Sequence, residues 1–123
     1  MQARDLMRPC GDPARPGTPI TEVAQMMAAA FVRALPVAED GRFLGIVTDW
    51  DISCRTVIRG KEVAATVVGD VMAPGYEACD ASTAIEVAVA QMDRRGVPCL
   101  PVLDRDLQLL GMLHRADAGR ADA

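Results

Sequence analysis

Two short motifs contain the side chains that could bind a ligand in this chain of 123 residues. The first runs from Gly45 to Asp51 and has Thr48 at its centre. Glycine would let the strand pass close to a ligand, the threonine hydroxyl can donate to a phosphate or sugar oxygen, and the carboxylate can accept from both hydroxyls of a ribose. These side chains could therefore contact a ribose and its phosphate. Thr48 and Asp51 could instead only cap a helix, by satisfying its first backbone N–H groups.

The second motif runs from Gly111 to Asp117 and differs from the first at the central position. It keeps the glycine and the aspartate but has His114 where the first motif has Thr48. An imidazole titrates near neutral pH and can place a positive charge beside a phosphate, although a histidine at the end of a surface strand is often merely solvated. We therefore expect two sites of one design that are not equivalent.

Both motifs belong to a longer internal repeat. The motif returns after 66 residues, and three earlier segments return after 65, because the loop before the second motif has one extra residue. These segments are Asp5-Leu6-Met7 with Asp70-Val71-Met72, Thr18-Pro19-Ile20 with Thr83-Ala84-Ile85, and Leu35-Pro36-Val37 with Leu100-Pro101-Val102. So steady a register indicates two copies of one folding unit, each too long for a solenoid repeat.

The elements that position the motifs follow from hydrophobic periodicity and turn residues. In the first copy, the pattern predicts a helix capped by Thr18 and ending near Phe31, a hairpin of strands 34–38 and 43–48, and a helix over 50–59. In the second copy it predicts a strand near 76–79, a helix over 83–95, strands 99–103 and 107–113, and a short final helix. We expect domain 1 over residues 1–60, a linker over 61–66, and domain 2 over 67–123 with a truncated last helix.

The composition limits the class of protein. Half of the residues are apolar but only 3% are aromatic, so the core is expected to consist of Val, Leu, Ile, Ala and Met. The formal net charge of −4 provides no basic surface, so we expect no nucleic-acid partner. No apolar run approaches the ~20 residues that span a bilayer, and the first residues lack the pattern of a signal peptide. We therefore expect a cytoplasmic protein with no membrane partner.

The cysteines give no clear sign of a metal site. Cys10, Cys54, Cys79 and Cys99 are separated by 44, 25 and 20 residues, and His114 is the one histidine of the chain. This spacing is a poor match to zinc-binding patterns. We therefore predict that the four thiols are unpaired and bind no metal.

Taken in order, the repeated motifs resemble a pair of cystathionine β-synthase (CBS) domains, the tandem arrangement known as a Bateman module. The resemblance extends from about Arg4 to Gly119. It implies an α+β fold of two β-α-β-β-α repeats that pack through their sheets with pseudo-twofold symmetry. It also implies a regulatory role without catalysis, in which AMP, ADP, ATP or S-adenosylmethionine binds in a cleft between the domains. No prosthetic group is implied.

The resemblance also implies which residues line each cleft. In the family, the motif of one domain completes a cleft with the strand before the proline of the other domain. On this pattern, Thr48 and Asp51 face Pro98, Cys99 and Leu100, whereas His114 and Asp117 face Arg33, Ala34 and Leu35. Ala78 and Cys79 belong to an early loop whose backbone groups bind the adenine edge. Because His114 and Arg33 would share a cleft, an anionic nucleotide is expected to favour that cleft.

Two further expectations concern partners. The helix after the first motif begins with Trp50 and carries apolar residues, which favours a symmetric homodimer through this face, with Trp50 covering a ligand as the less favoured interpretation. A module of this kind would act through its own oligomeric state or an unidentified protein partner. The alternative is a non-catalytic interaction or structural module whose clefts are empty vestiges. Stabilisation by adenine ligands would separate the two.

Overall fold

The contacts of the chain form two compact units that cut across the sequence repeat. The computed structural model describes residues 1–9, 12–58, 60, 62–74 and 76–118. One unit, here named the continuous unit, is Asp12–Tyr76, and the other, named the split unit, joins Met1–Gly11 to Glu77–Ala123. The expected division placed residues 1–60 in one domain and 67–123 in the other. In the structure, the segment before the first long helix of each copy belongs instead to the unit that contains the rest of the other copy.

The described elements are of mixed α/β class, as the repeat and its periodicity predicted. In chain order they are α1 (Ala3–Leu6), β1 (Arg8–Pro9), α2 (Ile20–Ala30), β2 (Ala34–Glu39), β3 (Arg42–Thr48), α3 (Asp49–Ile58), a 3-10 turn (Val63–Ala65), α4 (Val68–Val71), β4 (Ala73–Pro74), β5 (Cys79–Asp80), α5 (Ile85–Arg95), β6 (Cys99–Leu103), β7 (Leu109–His114) and α6 (Arg115–Ala118).

The continuous unit is built around the hairpin of β2 and β3, which are antiparallel neighbours. Asp40 and Gly41 have φ of 53° and 82°, the left-handed backbone that a tight hairpin turn requires. Strand β4 adds to β3, and Ala14 forms a parallel bridge to Val37 in β2. The buried core is aliphatic and consists of Ala14, Ile20, Val23, Met27, Val37, Val47, Val68 and Val71.

The split unit repeats this plan with a four-stranded sheet in the order β1-β7-β6-β5. Its hairpin turn is longer, and Leu107 has a φ of 62°. The Asp104 carboxylate accepts hydrogen bonds from the N–H groups of Asp106 (2.8 Å) and Gln108 (3.0 Å). The extra residue in this loop therefore makes a wider turn, and β7 begins at Leu109 instead of residue 107. None of the buried apolar residues among those described is aromatic, as the composition indicated.

The start of α2 differs from the prediction. Thr18 does not cap the helix, because its hydroxyl oxygen accepts a hydrogen bond from the Arg15 N–H (2.9 Å) and so closes the preceding turn. The helix begins at Ile20, after the extended Pro19. Residues 119–123, the end of the expected domain 2, lie outside the described residues.

Candidate functional site

The first motif forms the junction between β3 and α3, and its two polar side chains cap the helix. The Thr48 N–H donates to Asp51 Oδ2 at 3.0 Å, and the Asp51 N–H donates to Thr48 Oγ1 at 3.0 Å. This reciprocal pair is a capping box, which satisfies backbone donors that the helix itself leaves open. Asp51 is 6% exposed. The structure therefore confirms that Thr48 and Asp51 cap the helix. A ligand would have to use the remaining lone pairs of the Thr48 hydroxyl and the Asp51 carboxylate.

Arg55 adds a cation to this box, one helical turn further on. Its Nε lies 3.5 Å from Asp51 Oδ1, and its Nη1 donates to the carbonyls of Val71 (3.1 Å) and Met72 (3.0 Å). The guanidinium therefore ties α3 to the end of α4. Arg55 was not among the site residues predicted from the sequence, although its i,i+4 spacing from Asp51 on a predicted helix was the available signal.

The glycine that begins each motif has a role in packing. A Cβ on Gly45 would lie 2.6 Å from the carbonyl oxygen of Ala73, and one on Gly111 would lie 2.5 Å from that of Arg8. Real Cβ atoms do not approach a carbonyl so closely, so each glycine admits the backbone of a neighbouring strand. The prediction that Gly45 makes room for a ligand was wrong in this respect, because the close neighbour is β4.

The second motif lies at the junction of β7 and α6, where Arg8 holds the aspartate. Arg8 Nε donates to Asp117 Oδ2 at 2.8 Å, and Nη2 donates to Oδ1 at 3.2 Å. This is the bidentate geometry in which a guanidinium fork matches a carboxylate. The hydrogen bond to Asp117 raises the pKa of Arg8. Arg8 was not among the expected site residues, because it is more than a hundred positions away in sequence and only the pairing of β1 with β7 brings it here.

His114 lies beside this ion pair and is partly buried. Burial lowers its pKa most, the positive charge of Arg8 lowers it further, and the Asp117 carboxylate acts in the opposite direction. An imidazole with a pKa below its usual value of about 6.5 is largely neutral at pH 7. Arg8, which stays charged, is therefore the cation that holds Asp117.

Arg8 and Arg55 do not occupy equivalent positions in the two copies of the repeat. The residue equivalent to Arg8 is Ala73 in the second copy, since the offset is 65 and both backbones contact a motif glycine. The residue equivalent to Arg55 in the second copy is Ala121, at the offset of 66. Each motif aspartate thus has an arginine partner, but one comes from the following helix and the other from an edge strand.

The other predicted residues of the first copy lie along β2, next to the motif of their own copy. The Asp49 N–H donates to the Arg33 carbonyl at 3.0 Å. Ala34 is paired with Thr48, and Leu35 with Val47. Arg33 itself is exposed.

The second copy has the same arrangement along β6. The Arg115 N–H donates to the Pro98 carbonyl at 2.8 Å. Cys99 is paired with His114, and Leu100 with Leu113. Each unit therefore joins a motif to the strand of the same copy, and the pairing of each motif with the strand of the other copy stays a prediction.

The early loop of the second copy is held against α5. The Ala78 carbonyl accepts a hydrogen bond from Gln91 Nε2 at 3.4 Å, and Glu77 forms an ion pair with Arg95. Cys79 is buried in β5, and burial, with a smaller effect of Asp80, raises the pKa of its thiol to about 11. Such a thiol stays protonated and unreactive at neutral pH, so any contact of Cys79 with a ligand would be through its backbone.

The described residues contain no group of three or more side chains arranged to hold a metal ion. The thiols of Cys54 and Cys79 form no disulfide, and Cys10 lies outside the described residues. In the part of the chain that is described, no helix has the length and apolar character that crossing a bilayer requires.

Comparison with known proteins identifies both copies of the repeat. The sequence profile of the CBS domain matches residues 3–54 and 68–122. The CBS domain-containing protein YhcV of Bacillus subtilis is 31% identical over 102 residues, which cover 83% of this chain and 71% of that protein. The chain also matches the homoserine O-acetyltransferases of Methanohalobium evestigatum and Methanococcoides burtonii, but it spans only 20% and 21% of their lengths.

Two solved structures have the same fold over almost the whole chain. Hypoxic Response Protein I, solved with two coordinated zinc ions, is 27% identical, and the match covers 98% of each chain with a TM-score of 0.88. CBSX2 of Arabidopsis thaliana, solved in complex with AMP, is 28% identical, and the match covers 98% of this chain and 95% of that chain with a TM-score of 0.83.

Proposed function

The chain belongs to the CBS domain family, and from this we propose that it is a regulatory module that binds an adenosine-containing nucleotide. The module itself carries out no reaction. AMP is the first ligand to consider, because CBSX2 was solved with AMP and matches nearly the whole of this chain. ADP, ATP and S-adenosylmethionine remain alternatives within the same ligand class.

The geometry of the Thr48–Asp51 capping box is the observation that carries this proposal. A carboxylate has room for about four hydrogen bonds. Asp51 Oδ2 accepts one from the Thr48 N–H, and Oδ1 lies 3.5 Å from Arg55. The capping bonds therefore fix the orientation of the carboxylate and leave acceptor sites for ribose hydroxyls. A side chain that is already ordered loses little further entropy when it binds a ligand.

The proposal includes an assembly and a location. Trp50 is 71% exposed at the start of α3, and an exposed indole of this kind favours a homodimer through the α3 face. The unpaired thiols of Cys54 and Cys79 fit a reducing compartment such as the cytoplasm. The signal would pass through this dimer or through a protein partner.

A second candidate is a protein-interaction module that binds no nucleotide. It is favoured by the fact that both motif aspartates already have partners within the protein, Asp51 in the capping box and Asp117 with Arg8. In this case the motifs would stabilise helix starts and nothing more.

Titration calorimetry with AMP, ADP, ATP, adenosine and S-adenosylmethionine tests the proposal. We expect binding of at least one ligand, and a thermal midpoint that rises with its concentration. Charge-assisted hydrogen bonds to ribose are worth about 1.5–3 kcal/mol each, so Asp→Ala at the occupied motif should weaken binding about tenfold or more. If no ligand gives heat at millimolar concentration, the interaction module is the correct function. If a ligand binds with unchanged affinity in Asp51→Ala, Asp117→Ala and the double variant, the two aspartates do not hold the ribose.

A further inference from the structure

We propose that Arg8 selects the ligand of the His114–Asp117 motif, by adding to it a phosphate-binding guanidinium that the Thr48–Asp51 motif lacks. This inference rests on the proposed function, because it names the class of ligand that one of the two motifs prefers: a nucleotide with a 5′-phosphate in preference to the uncharged nucleoside. The proposed site, formed by Arg8, His114 and Asp117, lies entirely in the split unit.

The geometry leaves Arg8 able to bind an anion while it holds Asp117. Its Nε and Nη2 donate to the carboxylate, and no acceptor within the described residues is bonded to its Nη1. The side chain of Arg8 is 52% exposed, against 22% for that of Asp117. A guanidinium carries several N–H donors in a rigid fork and can bind a carboxylate and a phosphate at the same time.

The ion pair matches two parts of a nucleotide. Asp117 offers acceptor oxygens, which suit ribose hydroxyls, and Arg8 offers donors, which suit a phosphate. Because the bidentate pair fixes both side chains before the ligand arrives, binding requires little further ordering. The carboxylate cancels part of the charge of Arg8, so the preference for phosphate depends on the directed N–H donors more than on net charge.

The first motif has an arginine that is held differently, by backbone carbonyls as well as by the aspartate. Arg55 Nη1 is bonded to the carbonyls of Val71 and Met72, so its guanidinium serves the packing of α3 on α4. Ala73 occupies the position equivalent to Arg8. The central residue also differs, since Thr48 Oγ1 accepts a capping bond and His114 provides an imidazole. The two motifs therefore differ in charge at the same place in the fold.

His114 makes the test specific to one motif, because it is the one histidine of the chain. In an untagged protein, its ring protons give an isolated proton NMR signal that reports ligands near Asp117. We expect AMP to shift this signal at concentrations about tenfold or more below those that adenosine requires. In Arg8→Ala the two concentrations should become equal within about twofold, through a loss of AMP affinity.

The matched control is Arg105→Ala, which removes the same charge from an exposed position of the split unit outside the motif. It should keep the wild-type ratio of AMP to adenosine affinity. Arg8→Lys keeps the charge but loses the fork, so it should give an intermediate ratio, and it carries the test if Arg8→Ala does not fold by circular dichroism.

The possible failures are distinguishable. Calorimetry that detects no adenine ligand overturns the proposed function, and this inference with it. Calorimetry that detects AMP while the His114 signal does not respond overturns the role of Arg8 alone. The same holds if Arg8→Ala and Arg8→Lys both keep the wild-type ratio. A ratio that also falls in Arg105→Ala would mean that general charge, and not Arg8, selects the phosphate.

Discussion

Asp51 has a structural and a proposed functional role, and both involve the same carboxylate. Its Oδ2 accepts the Thr48 N–H at 3.0 Å, while the proposed ribose contact needs further lone pairs of the group. A loss of binding after substitution would therefore be ambiguous if the helix start also unfolded. Substitutions that separate the capping bond from the negative charge resolve this.

We predict that Asp51→Ala lowers the free energy of unfolding by about 0.5–2 kcal/mol, the usual cost of removing a capping side chain. Asp51→Asn keeps an oxygen that can accept the Thr48 N–H, so it should lose clearly less stability while still losing the charge that favours ribose. Urea unfolding of the two variants measures the difference. Equal destabilisation by both would show that the charge beside Arg55, and not the cap, stabilises α3.

His114 gives a prediction for the pH dependence of stability. Burial and Arg8 lower its pKa in the folded protein relative to about 6.5 in the unfolded chain. The unfolded state therefore binds the proton more readily, so this contribution to stability is full above about pH 6.5 and is lost as the pH falls through the folded pKa.

Thermal unfolding between pH 7.5 and 5.5 tests this sign. The midpoint of the wild type should fall over this range by more than that of His114→Gln, which has no titrating imidazole. If the midpoints of the two proteins fall equally with pH, the pKa of His114 is not lowered by folding. A larger fall for His114→Gln would mean that folding raises this pKa.

At the scale of elements, the equivalent helices α2 and α5 end in the same way with different residues. Phe31 after α2 has a φ of 56°, and Gly96 after α5 has a φ of 66°. The left-handed conformation is readily adopted by glycine and costs other residues about 1 kcal/mol or more. Phe31 is also 94% exposed, so packing offsets little of this cost.

We therefore predict that introducing a glycine after α2 and removing the glycine after α5 have opposite effects on the free energy of unfolding. Phe31→Gly should raise the free energy of unfolding by up to about 1 kcal/mol, and Gly96→Ala should lower it by about 1 kcal/mol. Chemical denaturation of the two variants against the wild type provides the measurement. A loss of stability in Phe31→Gly would mean that the phenyl ring contributes a contact, in a dimer for example, that outweighs its backbone strain.

At the scale of the whole molecule, the N-terminal residues fold together with the C-terminal half of the chain. Ala3 is fully buried, β1 pairs with β7, and Arg8 binds Asp117. The N-terminal segment therefore belongs to the unit that contains the second motif.

Removal of residues 1–9 is predicted to affect the two hairpins unequally. Strand β7 would lose β1, one of its two neighbours, and become an edge strand, so its amides should exchange with deuterium faster. The matched control is β3 in the continuous unit, which keeps its pairing with β4. Hydrogen exchange measured by mass spectrometry compares the two strands. Equal acceleration in both, or none in β7, would contradict the assignment of this segment to the split unit.

Much of the fold was predictable from local patterns. The constant offset gave the repeat, and the predicted strand over 99–103 coincides with β6 (Cys99–Leu103). The ends of helices were less predictable. Thr18 is an example, because a threonine before a helix can cap the helix or close the preceding turn, and the sequence looks the same in both cases. Of the candidate site, the sequence predicted the motif residues and the capping alternative, but it did not predict the arginine partner of either aspartate.

The sequence by itself determined the repeated units, the aliphatic core and the membership of the family, because periodicity, turn residues and motif order depend on residues close together in the chain. The tertiary structure alone decided which unit each short segment completes and what the motif glycines contact. It also decided which arginine meets each aspartate. These features depend on strand pairing between distant residues, such as Arg8 with Met112, and local sequence patterns do not encode the choice of a distant partner.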